Sequence, residues 1–178
     1  MTPAESVERA RREGRIGANT WIAKGVEIGT NVRIGANARI EPGVRIAEDV
    51  LVGANTRIAE NVLVATGVEL GTNARIGANA RIAENVQIGA YALIAPTAWI
   101  ERGEYLHGLG MHVWDAYRVG KTRTPTLRYG CVTLPLADWT SEQQRHECAA
   151  RDPRAREDLA RIVRTTRTFF CGKAKKKQ

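Results

Sequence analysis

The stretch RIGANARIEPGVRIAEDVLVGANTRI, residues 33–58, places an aliphatic residue at Ile34, Ile40, Ile46, Val52 and Ile58. The same six-residue beat runs without a slip from Arg15 to Ile100, through Ile16, Ile22 and Ile28 before it and Val64, Leu70, Ile76, Ile82, Ile88 and Ile94 after it. Two residues before each aliphatic position stands Gly, Thr, Val or Ala, and one residue after it Gly or Ala, with Glu41 and Glu101 the exceptions. A spacing of two puts the small and the aliphatic residue on one side of an extended segment, with the residue between them facing out. Three residues after each aliphatic position comes Asn, Gly or Asp, the residues that best tolerate positive φ, until Tyr91 and Thr97 break the rule. Each hexad therefore makes one short strand and one corner. The aliphatic residues never recur at three and four, so helical periodicity fails, and a fixed period of six signals a parallel β-helix.

Residues 15–100 resemble the hexapeptide-repeat family, whose motif is an aliphatic residue, a small residue, two variable residues, a small residue and another variable one. The resemblance implies three hexads per triangular turn, a left-handed coil, trimeric assembly and ligand sites in the grooves between subunits. Fifteen hexads then make five turns, a prism about 24 Å long at about 4.8 Å per strand. The fold class expected is mainly β: a left-handed parallel β-helix with a short N-terminal capping helix and a C-terminal ββαα module. The domain reading is residues 1–14 capping helix, 15–103 β-helix, 104–172 C-terminal module and 173–178 disordered basic tail.

With three hexads per turn, the outward residues sort into three faces. The first carries Arg15, Arg33, Leu51, Glu69 and Gln87; the second Trp21, Arg39, Arg57, Arg75 and Leu93; the third Glu27, Arg45, Leu63, Arg81 and Trp99. Stacking Arg39, Arg57 and Arg75 one strand apart is unfavourable unless an anion, a carboxylate or good solvation offsets it. Guanidinium groups in such a row can grip phosphate or carboxylate bidentately. A solvated ladder, or one paired with a neighbouring subunit's acids, is the competing and more ordinary reading. The outward Leu51, Leu63, Leu93, Trp21 and Trp99 suggest burial against another chain.

At the N-terminus, Thr2, Pro3 and Glu5 form a capping box that starts a helix over residues 2–13, with Val7 and Ala10 lying over the first coil. Beyond Ile100 the pattern changes. Met111 to Val119 and Thr126 to Leu134 read as a hairpin joined by Gly120 to Pro125. Thr140 and Gln143 start a short helix through about Ala149. Asp152 and Pro153 cap another helix, whose apolar stripe is Ala155, Leu159, Ile162, Val163, Thr166, Phe169 and Phe170. Arg154, Arg161, Arg164 and Arg167 lie on its other side.

The formal charge of +8 sits almost wholly in residues 151–178, which hold ten Lys or Arg against three Asp or Glu. A basic helix face with a lysine arm is a footprint for nonspecific nucleic-acid contact, but no nucleic-acid module accompanies it, so a solvated face is preferred. Cys131, Cys148 and Cys171 are odd in number and show no CxxC spacing, so neither a disulfide framework nor a metal site is expected. No apolar run reaches membrane-span length, and residues 1–13 are charged with no apolar centre, so a cytoplasmic location without membrane contact is expected.

Hexapeptide acyltransferases generally use a histidine as general base, and the carbonic anhydrases of that architecture hold zinc with three histidines on the coil. Between Arg15 and Ile100 this chain has none. Its histidines are His107, His112 and His146; beside Glu104 and Asp115, His107 and His112 are the weak catalytic candidates. The expected function is a non-catalytic homotrimer holding a small anionic, nucleotide-like ligand through Arg39, Arg57, Arg75 and Trp21, with no cofactor. The alternatives are an acyltransferase, with acyl-CoA as cosubstrate, or a spacer presenting the C-terminal module to a protein partner.

Overall fold

A computed structural model of the chain describes residues 2–101, 105–109, 113–119, 124–129, 132–138 and 160–168. From Trp21 to Ile100 the backbone forms fourteen strands of two or three residues, one per hexad. Each pairs in parallel with the strand eighteen residues away, as in Trp21↔Arg39 and Arg57↔Arg75, so three hexads make one turn. The result is a parallel β-solenoid with three faces that hold the outward residues expected from the sequence. Two faces contain five solenoid strands each and the other contains four, where Ile16 contributes only an isolated bridge to Ile34. Four turns are complete in strands and the first of the five expected turns is partial.

The corners follow from local chemistry. Asn19, Asn37, Asn55 and Asn73 form one column at φ between 56° and 60°, and Gly25, Gly43 and Gly67 take the same region at other corners. Tyr91 and Thr97, which lack the favoured side chain, adopt it as well, at 61° and 59°. Their amides donate to Thr72 O and Ala78 O of the preceding turn, so the ladder imposes what their own propensity disfavours.

The aliphatic positions and the small residues two before them fill the interior; Val26, Ile40, Ile58 and Ala80 are fully buried. Thr20 and Thr56 are buried among them, and their hydroxyls donate to Gly35 O and Gly71 O. Buried polar groups are thereby satisfied without interrupting the aliphatic stacks.

A solenoid leaves unpaired backbone at both ends. The N-terminal helix, Pro3–Arg12, has the expected capping box: Glu5 N–H donates to the Thr2 hydroxyl and Thr2 N–H to the Glu5 carboxylate. Ala10 is fully buried and Val7 packs against the core. Within the coil, an aliphatic amide such as that of Ile34 donates to the turn before it; Ile28 has no such turn, and its N–H reaches the Ser6 hydroxyl at 3.3 Å.

At the other end the strand Val113–Val119 runs antiparallel to Ala98–Ile100, pairing Ala98↔Val119 and Trp99↔Arg118. This extends the third face into Thr124–Tyr129 and Val132–Pro135. The expected hairpin is present, but with different bounds. Thr126 to Leu134 is two strands rather than one, because Tyr129 pairs with Val132 and only Gly130 and Cys131 link them. Pro125, expected in the loop, pairs with Arg118. A further strand, Leu106–Leu109, pairs with Val113–Val119. The described C-terminal part is therefore richer in strand than the expected ββαα module.

Residues 160–168 are helical, with Ile162, Val163 and Thr166 buried and Arg161, Arg164 and Arg167 exposed, as the stripe required. The expected helix at 140–149, the remaining stripe residues, the basic tail and the three cysteines lie outside the described residues. Among the described residues no helix is long and apolar enough to cross a membrane.

Candidate functional site

Because the period is six and the turn is eighteen, identical outward positions stack in register. On the second face this aligns Trp21, Arg39, Arg57, Arg75 and Leu93 as successive rungs. With neighbouring strands about 4.8 Å apart, the three arginines form a column of like charge.

The rungs differ in how that charge is met. Arg39 is balanced twice: its Nε donates to Glu41 Oε1 at 2.6 Å, and its guanidinium lies 4.8 Å from the Trp21 ring centroid. Among the described residues the side chains of Arg57 and Arg75 make no hydrogen bond or ion pair. Both line a groove of 680 Å³ that Arg39 and Glu41 bound at one end and Leu93, Pro96 and Tyr117 at the other. Ala59, Gly77 and Ala95 leave room along its side. Tyr117 is fully buried; its hydroxyl accepts from Ala95 N–H at 3.0 Å and donates to Leu93 O at 3.3 Å. The closed end of the groove is thus tied to the C-terminal strands.

Of the four sequence-derived ligand residues, the fold gathers Arg39, Arg57 and Arg75 in one groove. Trp21 lies outside its lining and acts through Arg39. The repeat sets Leu93 outward, but its place beside Tyr117 depends on an antiparallel strand that no repeat announces. His107 falls in the strand Leu106–Leu109, where the register sets it opposite Asp115. His112 and His146 lie outside the described residues. Among the described residues, no group of three or more His, Cys, Asp or Glu side chains is placed to hold a metal ion.

Among the described residues the two perturbed carboxyls stand at the N-terminal cap. Glu5 is held below its ordinary value chiefly by the Thr2 backbone N–H, and Glu13 by hydrogen bonds from Arg9 and then Arg15. Glu5 belongs to the capping box, Glu13 accepts from Arg9 and Arg15 at the far end of the helix, and neither lines the arginine groove.

The model for the bacterial transferase hexapeptide (six repeats) matches at residues 14–48, 31–66, 49–84 and 67–102, which together span half of the chain. The chain belongs to this hexapeptide family. Solved structures of hexapeptide acetyltransferases resemble it at low identity. A hexapeptide-repeat-containing acetyltransferase from Vibrio cholerae is 17% identical, with a TM-score of 0.37 over 56% of this chain and 76% of that one. The acetyltransferase domain of PglB from Neisseria gonorrhoeae is 18% identical, with a TM-score of 0.21 over 55% and 56%. Perosamine N-acetyltransferase from Caulobacter crescentus, in complex with CoA and GDP-perosamine, is 19% identical, with a TM-score of 0.22 over 56% and 55%. The chain thus spans about half the length of the latter two. No curated protein matches the chain. The hexapeptide coil accounts for residues 14–102, and the family match stops where the C-terminal strands begin.

Proposed function

We propose that this hexapeptide protein is a non-catalytic, homotrimeric binding protein that holds a small anionic ligand, such as a nucleotide, in the second-face groove. The carrying observation is the pair Arg57 and Arg75: adjacent rungs, in register, whose side chains make no ion pair or hydrogen bond among the described residues. Two guanidinium groups held in a column are pre-organised for phosphate or carboxylate oxygens, and binding an anion relieves their mutual repulsion. The apolar wall of Leu93 and Pro96 suits a ligand with a ring or chain attached to its anionic group. Exposed Trp21, Leu93 and Trp99 support burial against other copies, with the grooves lying between subunits.

Calorimetry with nucleotides and acyl-CoAs tests this reading. Micromolar binding that Arg57→Ala weakens about tenfold or more, without change of fold, is expected from the loss of a charge-assisted contact. Absence of binding, or binding indifferent to Arg57→Ala, refutes it.

A second reading, an acyl-CoA-dependent acyltransferase, draws on the family and on the register of His107 opposite Asp115. Acyl-CoA consumption that His107→Ala abolishes while leaving acyl-CoA binding intact would establish that reading and displace the first.

A further inference from the structure

The same rung-by-rung stacking makes each face a column of charges whose behaviour under symmetry can be read directly. Two copies meeting face to face about a two-fold axis perpendicular to the coil run antiparallel, so the first rung of one meets the last rung of the other. On the second face this sets Arg39 against Arg75 and Arg57 against itself, which is repulsive. On the third, centred on Leu63, it sets Arg45 against Arg81. On the first face the outcome reverses. Leu51 meets Leu51, and Arg33 of each copy meets Glu69 of the other, twice over.

The geometry around these residues fits such a contact. A groove of 1170 Å³ runs along the first face from Glu13 to Gln87, past Arg33, Leu51 and Glu69. Its side is a column of glycines, Gly17, Gly35, Gly53 and Gly71, where a Cβ would come within 2.4 to 2.6 Å of the next turn's backbone nitrogen. The coil's own packing demands these glycines, and the open groove beside the outward side chains is the consequence. Leu51 is 43% exposed at its centre. Among the described residues the Arg33 side chain makes no hydrogen bond or ion pair, while Glu69 has only a long contact, 3.4 Å, from Gln87 Nε2. Arg15 is spent within the chain, on Glu13 and on Val32 O, so the complementary charges are those of Arg33 and Glu69.

We propose that the first face is a contact between two copies of this chain, packed antiparallel about a two-fold axis through Leu51, with Arg33 of each copy paired to Glu69 of the other. A parallel arrangement does not use this pattern, because at equal height Arg33 would meet Arg33. The contact is independent of the ligand reading and of the trimer proposed with it. A flat face of five rungs is smaller than a standard interface, so the association is weak and weakens further with salt.

The test is sedimentation velocity on the full chain over roughly 10 to 500 µM, a range suited to weak association. Wild type is expected to double its mass reversibly with concentration. Arg33→Glu and Glu69→Arg should each raise the midpoint about tenfold or more, because each replaces two attractions with two repulsions. An equimolar mixture of the two variants, and the chain carrying both substitutions, should regain wild-type association, since each restores both opposite-charge pairs. Both positions are exposed, so far-ultraviolet spectra should not change. A wild-type mass that stays constant overturns the proposal and leaves the groove to a different partner. Single variants that associate as wild type, or a mixture no tighter than its components, overturn it equally.

Discussion

Thr97 is where the coil departs furthest from what its residue prefers, and substitution there tests the account of the corners. It is a β-branched residue at φ 59°, exposed, with its amide donating to Ala78 O at 2.8 Å and no hydrogen bond to its side chain among the described residues. The preceding corners of the same column are Gly25, Gly43, Asn61 and Asn79, all at positive φ. A left-handed residue with a Cβ costs about 1–2 kcal/mol, and asparagine avoids part of that cost. Thr97→Asn removes no contact made by the threonine side chain, so it should stabilise the chain by about 1 kcal/mol, or about 2–4 °C in Tm at this length. Thr97→Ala should gain little, because the Cβ remains. Thr97→Gly should fall below the full gain, because its more flexible unfolded chain takes back about 0.4–1 kcal/mol. Thermal and urea unfolding followed by circular dichroism give the ranking. Amide exchange at Thr97 and Ala98 reports whether the gain sits in the last turn, as nearest-neighbour coupling in a solenoid requires. If Thr97→Asn is no more stable than wild type, or Thr97→Ala gains as much, backbone strain is not what distinguishes this corner.

Two further outcomes follow from the ends of the coil. Tyr117→Phe leaves the Ala95 N–H without its acceptor and should cost about 1–3 kcal/mol in urea unfolding, with exchange at Ala95 accelerated more than in the middle turns. Glu5 and Glu13 are both held below the ordinary carboxylate value of 4.5, so their stabilisation of the N-terminal helix is present above that value. It is lost as pH falls through their lower folded values. The protection factor at Ile28, whose amide rests on Ser6 of that helix, taken against the intrinsic exchange rate at each pH, should therefore fall on acidification, and Glu5→Gln with Glu13→Gln should flatten that response.

How much of this was legible in advance differs along the chain. For the coil the reading needed only a period. Once three hexads make a turn, Arg39, Arg57 and Arg75 must share a face, and so must Arg33, Leu51 and Glu69, because every contact repeats one local unit. The N-terminal cap was legible for the same reason: a capping box involves residues three apart. The corner signal was less complete. Tyr91 and Thr97 read as exceptions, yet the ladder holds them at positive φ, since hydrogen bonds to the previous turn outweigh a local preference of about 1–2 kcal/mol.

By itself, then, the sequence determined the strand-and-corner unit, the filling of the interior and the content of each face, all consequences of spacing within six or eighteen residues. Only the tertiary structure decided what closes the two ends. Ser6 reaches Ile28 across twenty-two positions, and Tyr117 reaches Leu93 and Ala95 across a chain reversal. Which of the three arginines keep an unanswered charge was likewise a tertiary matter, since it turns on where Trp21 and Glu41 come to rest against Arg39. Such pairings are set by the shape of a particular terminus rather than by a repeating pattern, so no periodicity in the chain encodes them.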